Sequence, residues 1–312
     1  MSKIAFVFPG QGSQYVGMGK DLYDNYSAIR DIFAETNEIL NYDITNVIFN
    51  GTEDELISTE IAQPAIYTLS YAIFKILKPV GLDIDFVAGH SLGEYTALVA
   101  SKILSFAEGI RVVSKRGKLI KKACVENPGG MIAIIGLDSE KVEQGVKNLS
   151  QNGFSVQIAN YNSPIQTIIS YKGDDKVVSA VTEFFEQENA KRIMKLNVFG
   201  PFHSSYMKPA SVGVGEELEK YNIQAPSIPI VFNYNGKSVS DVNLIKECIT
   251  KQTNNPVKWI DSITYMRDKG VSKIVEVGPG KVLSGLNKKI DRSLEIYNIE
   301  DVETLETFLS SE

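Results

Sequence analysis

Histidine is almost missing from this sequence: His90 and His203 are the only two in 312 residues. That excludes a multi-histidine metal centre, and any chemistry needing an imidazole must use one of the two. Cysteine is equally scarce. Cys124 and Cys248 stand far apart, with no CxxC and no metal-ligand spacing, which argues against a disulfide framework and for a reducing compartment. No run approaches the roughly 18 uninterrupted apolar residues of a membrane span. The opening apolar run stops at Pro9-Gly10, too early for a signal-peptide core, and no small-residue cleavage site follows. A cytoplasmic protein without membrane association is the expectation. Positive charge is in deficit: 32 Lys and Arg against 38 Asp and Glu leave a net charge of −6. A phosphate backbone needs a basic surface, so nucleic acid is not an expected partner.

What remains is an ordinary globular composition, 43% hydrophobic and 22% charged. The length suits one large domain or two of ordinary size, enough to bury a core without disulfides or metal. Ile4–Phe8 reads as a buried strand ended by Pro9-Gly10, and Phe86–Ala88 as a second. Helical spacing runs from about Lys20 to Leu40. Ala65–Leu77 is apolar nearly all round, as a buried helix would be. Helices are also read at Glu94–Ser101 and Ser105–Cys124. Gly129-Gly130 then opens a distinct pattern: strand Met131–Leu137, helix Ser139–Leu149, strands Phe154–Asn160 and Gln166–Tyr171, helix Asp174–Gln187, strand Arg192–Val198. This β-α-β-β-α-β order is that of a ferredoxin-like unit. We read it as a small domain, 128–198, inserted into a large α/β domain made of 1–127 and 199–312. The large pattern resumes with a helix at about Ser204–Tyr221, a strand at Ile230–Phe232, helices at Val242–Lys251 and Val257–Asp268, a strand at Ile274–Val277 and a short basic helix. Strands alternating with helices predict a mostly parallel sheet.

Gly89-His90-Ser91-Leu92-Gly93 fits G-x-S-x-G between a short apolar strand and a helix. In that context the pattern makes a sharp turn that lifts the serine hydroxyl clear of the sheet and sets the next backbone N–H beside a reacting carbonyl. A chance match in an ordinary strand–turn–helix is the bland alternative. A serine nucleophile needs a base. The His90 side chain should point away from its neighbour Ser91, which leaves His203 in a loop before a helix. A lone loop histidine is more often mere packing, but no other base of this type exists in the chain. No Asp or Glu stands out as a third member of a triad; a backbone or amide carbonyl could hold the imidazole instead. The loop Gly10-Gln11-Gly12 has neither the Lys-Ser/Thr of a Walker loop nor a third glycine, since Tyr15 occupies that place. It is either a plain turn or a donor of an N–H to an oxyanion. Arg116, on a helix among apolar residues, is either a surface residue or a clamp for a carboxylate.

Taken together these segments resemble the malonyl-CoA:acyl carrier protein transacylase family. The likeness spans the chain: FPGQGSQ at 8–14, QPAIY at 63–67, AGHSLGEYTAL at 88–98, RG at 116–117, ANYNSP at 159–164, PFHS at 201–204, NPVKW at 255–259 and EVGPGKVL at 276–283. The resemblance implies an α/β-hydrolase-like large domain. It also implies that Ser91 is the acylated nucleophile, His203 its base and acid, and the N–H groups of Gln11 and Leu92 the oxyanion hole. Arg116 would pair with the free carboxylate of the malonyl group, Gln63 would line the acyl pocket, and the main-chain carbonyl of Gln252 would orient the histidine. Phe202 would crowd an α-branched acyl chain, a preference of about 1–3 kcal/mol per methyl.

The implied reaction is ping-pong: malonyl-CoA acylates the serine, and the phosphopantetheine thiol of acyl carrier protein takes the acyl group, with no metal or cofactor. Such carriers are acidic, so with a net charge of −6 the attraction must be local. Candidate patches are Lys115–Lys122, Lys191-Arg192 with Lys195, and Lys288-Lys289 with Arg292. An acyl hydrolase on the same scaffold, a docking protein without turnover and a standalone polyketide acyltransferase are the competing readings.

Overall fold

The computed structural model describes residues 3–311, so the outermost residues of the expected large domain and of the opening segment lie outside it. The strands run, in chain order, β1 (Lys3–Phe8), β2 (Phe86–Gly89), β3 (Gly129–Ile135), β4 (Val156–Ser163), β5 (Gln166–Lys172), β6 (Arg192–Lys195), β7 (Ile230–Phe232), β8 (Lys237–Ser238), β9 (Val271–Val277) and β10 (Glu295–Ile299). They form two sheets. The larger has the order β10-β9-β1-β2-β7-β8 and is parallel except where the short β8 pairs with β7. The smaller, β4-β5-β3-β6, is antiparallel throughout. The expected mixed α/β architecture is therefore present.

Continuous apolar runs mark strands covered on both faces. In β1, Ile4, Phe6 and Phe8 pack into one core with the helix Thr59–Leu77, while Ala5 and Val7 pack into another with Trp259, Ile263 and Met266. The same logic makes Ala65–Leu77, within the helix Thr59–Leu77, apolar nearly all round. The antiparallel sheet has two unlike faces. Ile132, Ile134, Ile169 and Tyr171 meet the helices Ser139–Gln151 and Asp175–Gln187; Met131, Ala133, Ala159 and Ile168 face away from them. Its connections to the parallel sheet run through Asn127-Pro128 and through 196–201. At β4 it is also stitched to the segment before the helix Trp259–Asp268, where Val257 N–H donates to Ala159 O and Tyr161 N–H to Val257 O, both at 2.9 Å.

Several elements differ from expectation. The helical pattern at 20–40 is two helices, Lys20–Asn25 and Ser27–Leu40, broken at Tyr26, whose backbone is extended. The reading Arg192–Val198 is strand only as far as Lys195. The expected helix Ser204–Tyr221 is a 3₁₀ turn, Ser205–Met207, followed by Lys208–Leu218. Pro209 opens the latter and has no N–H to continue a ladder from the preceding turn. The helices Ile44–Asn50, Glu53–Ile57 and Val302–Leu309 and the edge strand β10 were not read from the sequence, being short or mixed in polarity. Among the described residues no helix is long and apolar enough to cross a membrane.

Candidate active site

The carboxyl ends of β1, β2, β7 and β9 share one edge of the parallel sheet, which is where open α/β sheets bind ligands. At the end of β2 the chain turns sharply into the helix Gly93–Ala100, with Ser91 at the apex and at φ +51°. A residue with a Cβ pays about 1–3 kcal/mol to sit there. The flanking glycines explain how the turn closes. A Cβ on Gly89 would overlap the backbone of Gly93, and one on Gly93 would overlap the carbonyl of Phe8 in β1.

Ser91 Oγ lies 2.7 Å from His203 Nε2. His203 Nδ1 lies 3.0 Å from the main-chain carbonyl of Gln252 at the end of the helix Val242–Gln252. A carbonyl only accepts, so Nδ1 carries the proton and Nε2 presents its lone pair to the serine hydroxyl. No carboxylate enters this chain of bonds. His203 is itself at φ +55° and buried. Desolvation by burial, with the nearby Arg116 charge, pushes its pKa down to about 3, so the ring is neutral at physiological pH. His90 does point elsewhere: its Nε2 meets Asn162 Oδ1 at 2.8 Å and its ring packs edge-on against Trp259.

Arg116 reaches in from the helix Phe106–Glu126 and is 2% exposed, which removes the surface reading. Its Nη1 donates to Gln63 Oε1 at 2.7 Å, and its Nη2 to Ser91 Oγ at 3.1 Å and to Gln252 Oε1 at 3.0 Å. The guanidinium stacks on Tyr95 at 5.3 Å. Its partners within bonding distance are neutral, so its charge is not cancelled by a direct carboxylate pair. Burial lowers its pKa, while Tyr95 and Glu94 raise it.

Gln11 lines the same cavity, and its side chain donates to Thr59 Oγ1 at 3.2 Å. Among the described residues the backbone N–H groups of Gln11 and Leu92 have no hydrogen-bond acceptor. The cavity, of about 210 Å³, lies between the two sheets: Met131, Asn160, Asn162 and Ile168 come from the antiparallel side, Gln11 and Ser91 from the parallel side. Phe202 is half-buried at this junction and packs on both walls. Of the residues singled out in the sequence, Gln11, Gln63, Ser91, Arg116, Phe202 and His203 line this cavity. Gln252 bonds to His203, Arg116 and the Ser91 carbonyl from behind, and the Leu92 side chain is buried in the core rather than in the cavity. The lysines of the three basic segments, with Arg192 and Arg292, are exposed, whereas Arg116 within the first is buried; the helix Val282–Ile290, which carries Lys288 and Lys289, also lines the cavity through Val282, Leu283 and Leu286.

Two residues escaped the sequence reading. Asn233, following β7, is fully buried and bonds to the turn around Ser91. Glu94, inside AGHSLGEYTAL, is fully buried, and desolvation pushes its carboxyl up to about 8. An Asn directly after a buried strand was the only signal for the first. Among the described residues no group of three or more His, Cys, Asp or Glu is placed to hold a metal ion.

A family model for the acyl transferase domain matches residues 5–306. The malonyl CoA-acyl carrier protein transacylase of Bacillus subtilis is 42% identical over 306 residues, covering 98% of this chain and 96% of that protein. An acyl carrier protein S-malonyltransferase from Vibrio cholerae superposes with a TM-score of 0.93 at 38% identity, covering 98% of this chain and all of that one. A malonyl-transacylase solved in complex with its type II PKS acyl-carrier protein superposes with a TM-score of 0.95 at 36% identity over the full length of both chains.

Proposed function

This chain belongs to the acyl transferase domain family, and on that premise we propose that it moves a malonyl group from malonyl-CoA to the phosphopantetheine thiol of an acyl carrier protein, through an ester on Ser91. That it is an acyltransferase follows from the family; the substrate, the carrier and the residue roles are our reading. His203 takes the Ser91 proton as Oγ attacks the thioester carbonyl. The N–H groups of Gln11 and Leu92 meet the oxyanion. Collapse expels the CoA thiol, which leaves with the proton held by His203. The carrier thiol then gives its proton to His203 and attacks the ester, and the serine hydroxyl is regenerated. This reading gives the catalytic machinery to a large domain, 1–127 and 199–312, and one wall of the cleft to a small domain, 128–198. The work would belong to fatty acid synthesis.

One observation carries the substrate choice: the buried Arg116 Nη2 stands 3.1 Å from the nucleophile. In a malonyl ester the carboxylate carbon is only about 2.5 Å from the ester carbonyl carbon. The group that reads this carboxylate must therefore adjoin the serine, as Arg116 does. Charge-assisted bonds of this kind contribute about 1.5–3 kcal/mol each. An acetyl group would make none of them. Gln63 and Gln252 hold the guanidinium flat for the incoming anion, and Phe202 narrows the space beside it.

Intact mass after brief mixing with malonyl-CoA, acetyl-CoA or methylmalonyl-CoA tests this. The expected adduct forms chiefly from malonyl-CoA, vanishes in Ser91→Ala, persists in the absence of carrier and is discharged by it. In Arg116→Ala the gap between malonyl and acetyl loading narrows by about tenfold or more. Unchanged selectivity in that variant removes Arg116 from its role, and spontaneous loss of the adduct to water makes the protein a hydrolase.

A further inference from the structure

Two buried amide side chains grip the backbone on either side of Ser91. Asn233 Oδ1 accepts from the Ser91 N–H at 2.7 Å, and Asn233 Nδ2 donates to the Gly89 carbonyl at 2.6 Å. The Asn233 N–H in turn donates to Glu94 Oε2 at 2.6 Å, and its carbonyl accepts from Lys258 N–H at 3.0 Å. Asn233 is thus anchored through its own backbone before it touches the turn. On the other side, Gln252 Nε2 donates to the Ser91 carbonyl at 2.6 Å, which also accepts from the Glu94 N–H at 3.2 Å.

The consequence is geometric. In a trans peptide the C=O and N–H of one plane point in opposite directions. The Ser91 carbonyl is drawn to Gln252, so the Leu92 N–H in the same plane is turned the other way and left without an acceptor. The preceding plane is set by Asn233 through the Ser91 N–H. With both planes held, Ser91 stays in its left-handed conformation and its Oγ stays 2.7 Å from His203.

We propose that Asn233 and the side chain of Gln252 are positioning residues for acyl transfer, which set the two peptide planes around Ser91 and thereby aim the Leu92 N–H at the oxyanion. For Gln252 this is separate from its main-chain carbonyl, which holds His203. The proposal rests on Ser91 being the acylated residue.

The test is timed labelling of Ser91 by phenylmethylsulfonyl fluoride, read by intact mass, beside malonyl-CoA loading. A lost oxyanion donor costs about 10²–10³-fold in rate. Asn233→Ala and Gln252→Met should therefore slow both reactions by about 10²-fold. In Asn233→Ala, where the replaced side chain makes no bond to Arg116, KM for malonyl-CoA should move less than about threefold and the pH profile should stay put. The sulfonyl fluoride carries no carboxylate, so a lost carboxylate contact does not explain its slowing, and Asn233→Ala, which leaves the bonds of Arg116 in place, separates the effect from a shift of Arg116 against Ser91 Oγ. Asn233→Ser is the second variant should Asn233→Ala fail to fold, and it should be intermediate. Labelling at the wild-type rate in a folded variant, or rates that track only the folded fraction, overturns the proposal. Fast sulfonyl labelling of the wild type without any malonyl ester sinks the substrate reading alone. Equal malonyl loading of wild type and variants sinks this inference alone.

Discussion

His203 is buried beside the Arg116 guanidinium, and both facts favour the neutral ring. Gln252 offers only a carbonyl dipole in return, so the imidazole gains less than it would from a carboxylate. The direction of the shift makes a prediction about acid. A ring with the usual value near 6.5 loses about tenfold of its free base on going from pH 7.5 to 5.5. With its pKa near 3, His203 keeps its base form over that range. Single-turnover acylation of Ser91 should therefore change by less than about twofold between pH 7.5 and 5.5, and a tenfold fall would place the titration of His203 near its ordinary value. The linkage to stability has the matching sign. The unfolded chain binds the proton first, so this contribution is fully present above pH 6.5 and is lost as pH falls toward 3.

The turn from β2 into the helix Gly93–Ala100 is an element built from close approach. Gly93 packs under the carbonyl of Phe8, at the end of the neighbouring strand β1. Gly10 likewise sits against the carbonyl of His90. These contacts lock the loop of Gln11 to the turn of Ser91. Gly93→Ala adds a single carbon where backbone atoms leave no room. It should cost about 2 kcal/mol or more in stability, as overpacking in a tight core does. Thermal unfolding measures this, and a melting temperature equal to the wild type would mean that the strand and the helix can part without penalty. Gly285 is the control, because a Cβ there meets nothing within 4 Å.

At the scale of the molecule, the cleft beside Ser91 lies at the seam between a parallel and an antiparallel sheet. Each supplies one wall, and β4 is tied to Val257 across the seam. On the proposed function, an acidic carrier would approach a chain whose net charge is −6. Lys288 and Lys289 are exposed at the end of the helix whose first turn lines the cleft. Reversing both, Lys288→Glu with Lys289→Glu, should slow transfer to an acidic carrier by about tenfold at low salt while leaving self-acylation by malonyl-CoA unchanged. The difference should shrink as salt screens the surface. Stopped-flow acylation and carrier loading separate the two steps, and an equal loss of both would mean that these lysines serve the cleft rather than the carrier.

Much of this was legible in the residues themselves. The G-x-S-x-G turn and the shortage of histidine point to Ser91 and His203, and the lack of an acidic partner leaves a carbonyl as one open option. The β-α-β-β-α-β order follows from alternation and turn residues, which are local properties. Burial on both faces was equally readable in the unbroken apolar run of β1. Tertiary structure alone decided whether Arg116 faces solvent or the serine, because a helix position states spacing but not what packs above it. It also decided that Asn233 and Glu94 belong to the site. Their bonds join residues 142 and 139 positions apart in the chain. Only the folded sheet brings the end of β7 beside the end of β2, and no local pattern encodes that meeting.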